Sequence, residues 1–184
     1  MEKVNILLTL LLLVFISSCK PSKKETLDNI RLCLKAQNET AVLFNNRNPY
    51  LQKIVDAKKS GNLPLDKSNL TKIDSMTIKI NVTAESYLKK LETEKSKYPD
   101  ETLTNGVMDY LKSVKNFEKE FEIFLELIKD SIQGNEEDFS VTIKDLALGL
   151  NSETRKLNRT KTEFYEKYEI SQMEIDSLVE LIKK

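Results

Sequence analysis

Three features of the sequence predict an all-α fold, a long antiparallel four-helix up-down bundle with a short extra C-terminal helix. Apolar residues beyond residue 24 recur at steps of three and four rather than two, which is the period of a helix face and not of a strand. Glu, Lys, Leu and Asn dominate that region, and its prolines fall at segment edges. Four amphipathic segments of similar length are joined by connections of only a few residues, which favours antiparallel neighbours. Isolated helices would leave their stripes wet, and the 166 residues after Ser18 suffice for one core that buries about 70% of the unfolded surface. The chain accordingly divides into 1–18, a leader; 19–24, a tether; and 25–184, a single helical domain. Two separate coiled-coil hairpins are the other arrangement that such narrow stripes allow.

The leader is read from its charge and its apolar run. Lys3 supplies a positive start, and Ile6 to Ile16 are apolar except for Thr9. That run is short of the ~20 residues of a membrane span, and the polar Lys20-Pro21-Ser22-Lys23-Lys24 ends it. Ile16-Ser17-Ser18-Cys19 follows, and it resembles the lipobox of bacterial lipoproteins, with cleavage between Ser18 and Cys19 and a diacylglyceryl group on the Cys19 sulfur. Leu at the first of these positions and Ala or Gly before the cysteine would be more usual. The resemblance implies a protein anchored to a membrane by its N-terminal lipid, because two acyl chains suffice for stable anchoring where one does not. Residues 20–24 then form a leash of at most ~18 Å. Lys20, Lys23 and Lys24 either lean on anionic headgroups or merely solvate the leash.

The first helix is expected from about Glu25 to Ser60, with Leu27, Ile30, Leu34, Ala41, Phe44, Leu51 and Ile54 as its stripe. Asn45-Asn46-Arg47-Asn48-Pro49 predicts a kink or short break within it, because proline removes a hydrogen bond and its predecessor avoids helical geometry. The second helix, from about Asp66 to Lys97, carries Leu70, Ile73, Thr77, Ile80, Ala84, Tyr87, Leu88 and Leu91. The third has the cleanest stripe, Leu103, Val107, Tyr110, Val114, Phe117, Phe121, Phe124 and Ile128, and should begin at a cap on Asp100 or Thr102 and stop before Gly134. It spans roughly 32 residues, or about 48 Å. The fourth, from about Glu137 to Glu169, carries Phe139, Ile143, Leu146, Leu150, Leu157, Phe164 and Tyr168. Ser171-Gln172-Met173-Glu174 reads as a capping box that opens a terminal helix with Ile175, Leu178, Val179 and Ile182.

Composition narrows function by exclusion. The leader carries one acid and one base, so the remaining chain holds 28 of each and exerts no net pull on nucleic acid. The chain has no histidine, the commonest general base and metal ligand. Lipidation of Cys19 would leave Cys33 as the single thiol, too few for a cysteine zinc site. The four glycines, Gly61, Gly106, Gly134 and Gly149, stand too far apart for a phosphate-cradling loop. No metal, cofactor or catalytic constellation is expected from these residues. Cys33 lies in Ile30-Arg31-Leu32-Cys33-Leu34, where a buried thiol behaves as a small apolar group; Arg31 and Lys35 beside it are what a reactive thiolate would need.

Polar residues that interrupt the stripes mark a candidate layer within the bundle: Gln37 on the first helix, and Glu153, Thr154 and Thr160 on the fourth. Such a layer holds a ligand or water, fixes register, or turns out to the rim. The aromatic set Phe117, Phe121, Phe124, Phe164, Tyr165 and Tyr168 reads as core. Four Asn-X-Thr triplets, beginning at Asn38, Asn69, Asn81 and Asn158, match an N-glycosylation pattern out of place in a bacterium. Asp74-Ser75-Met76, Asp130-Ser131-Ile132 and Asp176-Ser177-Leu178 resemble an O-glycosylation signal of some exported bacterial proteins.

Ser86-Tyr87-Leu88-Lys89-Lys90-Leu91, the stretch from Thr102 to Ile128, and Glu163-Phe164-Tyr165-Glu166-Lys167-Tyr168-Glu169-Ile170 together resemble a group of uncharacterised helical surface lipoproteins of Gram-negative bacteria. The likeness covers about the last half of the chain, and the helix after Ile170 departs from it. It implies a place in the cell envelope, with the outer membrane expected and its face open, and no known activity to carry over. The expectation is a non-enzymatic interaction or structural module with an envelope protein as partner. The alternatives are a small-ligand carrier or sensor that uses the bundle interior, and an enzyme that pairs Glu153 with a second carboxylate.

Overall fold

The computed structural model describes residues 21–61, 66–130 and 136–183. They form five helices, α1 (Lys23–Lys59), α2 (Lys67–Glu94), α3 (Thr102–Asp130), α4 (Glu136–Lys167) and α5 (Gln172–Lys183), with a 3-10 turn at Lys95–Lys97. The fold is all-α, with no strand among the described residues. The leader, Ser18 and Cys19, and Ser131 of the second triplet lie outside the described residues, as do the side chains of Ile128, Phe139, Ile143 and Leu146. Among the described residues no helix is long and apolar enough to cross a membrane.

Each helix start has a side-chain cap or capping box where one is described. Ser22 and Glu25 form a reciprocal box at α1: the Glu25 carboxylate accepts the Ser22 N–H at 2.8 Å, and the Ser22 hydroxyl accepts the Glu25 N–H at 3.2 Å. The helix therefore takes in Lys23 and Lys24, two residues of the expected leash. Asp66 accepts the Ser68 N–H at 2.8 Å and Asp100 accepts the Thr102 N–H at 2.9 Å, which opens α2 and α3. The Ser171–Glu174 box opens α5, with the Ser171 N–H on the Glu174 carboxylate at 2.9 Å. At the end of α4 the N–H groups of Glu169 and Ile170 bond back to the carbonyls of Glu166 and Tyr165, at 3.2 and 2.9 Å. This is a Schellman turn, with Glu169 at φ +53° in the left-handed position that usually holds glycine.

The buried line of α1 differs from the expected stripe. Asn29, Ile30, Cys33, Ala36, Thr40, Arg47 and Ile54 are buried, whereas Leu27, Leu34 and Phe44 lie at the flanks and Ala41 is exposed. Nor does the helix break at Asn45–Pro49: it runs continuously from Lys23 to Lys59, with Pro49 inside. The missing N–H costs about 3 kcal/mol or more in an isolated helix. Contacts on both sides of the proline offset it here, since Phe44, Tyr50 and Leu51 pack against core residues and Arg47 is held by two other helices.

On α3 the described part of the expected stripe is inside, with Leu103, Val107, Tyr110, Val114, Phe121 and Phe124 buried and Phe117 partly so. A second buried line runs beside it at intervals of seven: Thr104, Leu111, Glu118 and Leu125. The second line makes α3 the widest buried face, and it packs on α1, α2 and α4. α1 also packs on α2 and on α5. The core falls into two clusters. The larger joins Ile30, Ile80, Leu91, Leu111, Leu157 and Phe164; the smaller joins Ile54, Ile73, Phe121, Phe124 and Leu125 from α1, α2 and α3.

Asp100 ties the α2–α3 connection to the end of α4. Besides its cap on α3, its carboxylate accepts from Lys167 Nζ at 2.6 Å and from the Tyr168 hydroxyl at 2.9 Å. Burial pushes the Asp100 carboxyl up, but the bonds from Lys167, Thr102 and Tyr168 outweigh it and hold the group well below the usual carboxylate range. A carboxyl depressed on folding stabilises the fold above its ordinary range, and that contribution fades as pH falls toward its folded value. Asp100→Asn keeps a competent cap and removes the charge. It should lower stability at neutral pH by about 1–2 kcal/mol and flatten the loss between pH ~5 and ~2, as read from urea midpoints across that range.

Candidate functional site

Three helices contribute to a charged layer in the interior. Arg47 of α1 is 1% exposed and Glu118 of α3 is fully buried. The guanidinium grips the carboxylate with both terminal nitrogens, Nη2 to Oε1 at 2.8 Å and Nη1 to Oε2, and Nη1 also donates to the Thr77 hydroxyl of α2 at 2.8 Å. Thr77 has no exposed surface. The planar cation lies on aromatic faces, 4.4 Å from the Phe121 centroid and 5.1 Å from that of Phe44. Phe117 continues this wall, edge-on to Phe44 at 6.1 Å and stacked on Phe121 at 5.9 Å. Burial raises the Glu118 carboxyl, opposed by Arg47 and Thr77. Arg47 Nε is buried with no hydrogen-bond partner among the described residues.

Burying two such charges costs several kcal/mol per ion, which only bidentate geometry and further hydrogen bonds recover. The layer is therefore a weak source of net stability and a strong constraint on which residues must meet. Glu118 has no exposed surface through which to exchange a proton with a substrate, so this carboxylate serves the packing of three helices.

A second polar group sits in the larger cluster. Asn29 Oδ1 accepts from the Thr104 hydroxyl at 2.9 Å and from Cys33 Sγ at 3.4 Å, and all three side chains are buried. Burial pushes the Cys33 thiol up to about 12, so it stays protonated and unreactive in the folded chain. Nearby, Lys161 of α4 donates to Gln37 of α1 at 3.1 Å, and burial lowers the ammonium.

Of the four candidate layer residues, Gln37 thus reaches across to α4. Glu153 pairs with Lys156 one turn away, and Thr154 and Thr160 donate to the carbonyls of Leu150 and Lys156 in their own helix. A methyl of Thr160 also packs toward Gly106, where an added Cβ would stand 3.2 Å from it, so Gly106 lets α3 and α4 approach. The triplet serines Ser75 and Ser177 are exposed. An outer groove of about 530 Å³ runs past Asn81, Val82, Glu85, Ser86, Lys89 and Lys115, with Lys115 paired to Glu85 across it.

No family model, no curated protein and no solved structure matches the chain.

Arg47 and Glu118 do not stand out in a reading that seeks large apolar residues. The signal for them is a seven-residue interval: Arg47 lies seven after Thr40 and seven before Ile54, and Glu118 seven after Leu111 and seven before Leu125. Glu118→Ala strands a buried guanidinium and should cost about 3–5 kcal/mol, whereas Arg47→Met with Glu118→Leu should leave stability unchanged or raise it. Urea unfolding followed by circular dichroism separates these outcomes; equal losses in the two variants would make the charges themselves the source of stability.

Proposed function

We propose that this chain is a lipid-anchored helical protein of the bacterial cell envelope that acts as a non-enzymatic interaction or structural module. The observation that carries the reading is the Ser22–Glu25 box: the first helical residue, Lys23, lies four residues after Cys19. A diacylated Cys19 would therefore be joined to a rigid body by a leash of only about 14 Å. The arrangement of the buried polar groups also favours it, because Arg47, Glu118 and Thr77, and likewise Asn29, Thr104 and Cys33, bond to one another.

In this reading α1 to α4 form the up-down-up-down bundle. Supporting it, Asn29 meets Thr104 and Arg47 meets Glu118, so numbering rises together on α1 and α3. Glu85 meets Lys115 while Thr77 shares the layer of Glu118, so α2 runs against α3. Asp100 at the start of α3 holds Lys167 at the end of α4. The partner is another envelope protein, and the resemblance to Gram-negative surface lipoproteins favours the outer membrane.

Labelled palmitate should enter the wild-type chain and not Cys19→Ala, and the variant should leave the membrane fraction. Protease accessibility on intact cells then assigns the face. No label in either protein, with unchanged fractionation, overturns the anchor.

A further inference from the structure

We propose that α5 is exchanged between two copies of this chain, each α5 seated on the α1 of the other copy with Glu169 as the hinge. Three observations lead there. The first is how lightly α5 is held. None of its residues is buried, Met173 and Leu181 are 78% and 52% exposed, and its grip on the body is Ile175 and Leu178 against the larger cluster together with one ion pair, Lys23 Nζ to Glu174 at 2.7 Å. A helix attached in this way opens at far lower cost than the core helices.

The second is the hinge. Only residues 168–171 separate α4 from α5, and Glu169 holds the left-handed conformation that L residues with a side chain rarely adopt. A short connection under strain invites exchange, because opening it extends the chain between α4 and α5 and releases the strained residue. The third is the seat. α5 packs on α1 of its own chain, and a second copy offers the same Lys23 and the same apolar side chains, so the exchanged form regains each of these contacts. Exchange then trades nothing at the seat and relieves Glu169, against the two hydrogen bonds of the Schellman turn and the loss of independent motion of two copies. The latter loss shrinks as the copies are concentrated. The inference stands apart from the anchor, although attachment to a surface would supply such concentration.

The Lys23–Glu174 pair is itself the reporter. A carbodiimide joins a touching amine and carboxylate as an amide, taking up the water released, and adds no spacer. Equal amounts of ¹⁵N-labelled and unlabelled full chain are incubated together, cross-linked and digested, and the Lys23–Glu174 peptides are weighed by mass spectrometry, with the Cys19→Ala chain run in parallel so that the result is independent of lipidation. Mixed-isotope peptides should form and increase with protein concentration. Glu169→Gly, which relaxes the closed hinge, should lower them about fivefold at the same concentration. Cross-links confined to one isotope at every concentration overturn the proposal, and so does a mixed fraction that Glu169→Gly leaves unchanged or raises.

Discussion

The contact between Arg47 and Glu118 constrains the whole helical body. Two buried charges tolerate one alignment: a slip of seven residues along the seam would set Arg47 against Leu111 or Leu125 and leave both ions without a partner. The apolar seam alone discriminates poorly, since leucine, isoleucine and valine recur along it at the same interval. Thr77 brings α2 into the same alignment through the guanidinium. One arginine side chain thereby fixes the relative height of three helices, a use of a buried polar group that trades stability for uniqueness.

Much of the secondary structure is legible from the sequence because helices here advertise themselves through period and punctuation. The stripe of α3 and the box at Ser171 need only local rules, and the structure places them where spacing predicts. The buried line of α1 is not legible in the same way. Its inward positions hold Asn29, Cys33, Thr40 and Arg47, while Leu27, Leu34 and Ala41 draw the eye to the flanks. Each inward polar group becomes intelligible only beside a residue far along the chain: Asn29 beside Thr104, Arg47 beside Glu118. The absence of a break at Pro49 has a related reason, since the residue's local preference to end a helix is outweighed by tertiary contacts on either side of it.

The same distinction explains the candidate layer. Gln37 meets Lys161 from α4, but Glu153, Thr154 and Thr160 bond within one or two turns of their own helix, which the amphipathic pattern cannot distinguish from inward orientation. Two further fastenings between helices stand at the end where α1 begins. Asp100, Lys167 and Tyr168 close one side of that end, and Lys23 with Glu174 closes another. Glu174 has two jobs there, as the cap of α5 and as the partner of α1.

The division of the core by the charged layer has a mechanical consequence. Among the described residues, the smaller cluster beyond the layer holds five buried apolar residues, against sixteen in the larger one on the other side. Fraying that begins at the end remote from Lys23 meets the ion pair when it reaches Arg47. There it must separate a buried cation from a buried anion in one step, with no partial contact to ease the passage. The layer is a stop against unzipping.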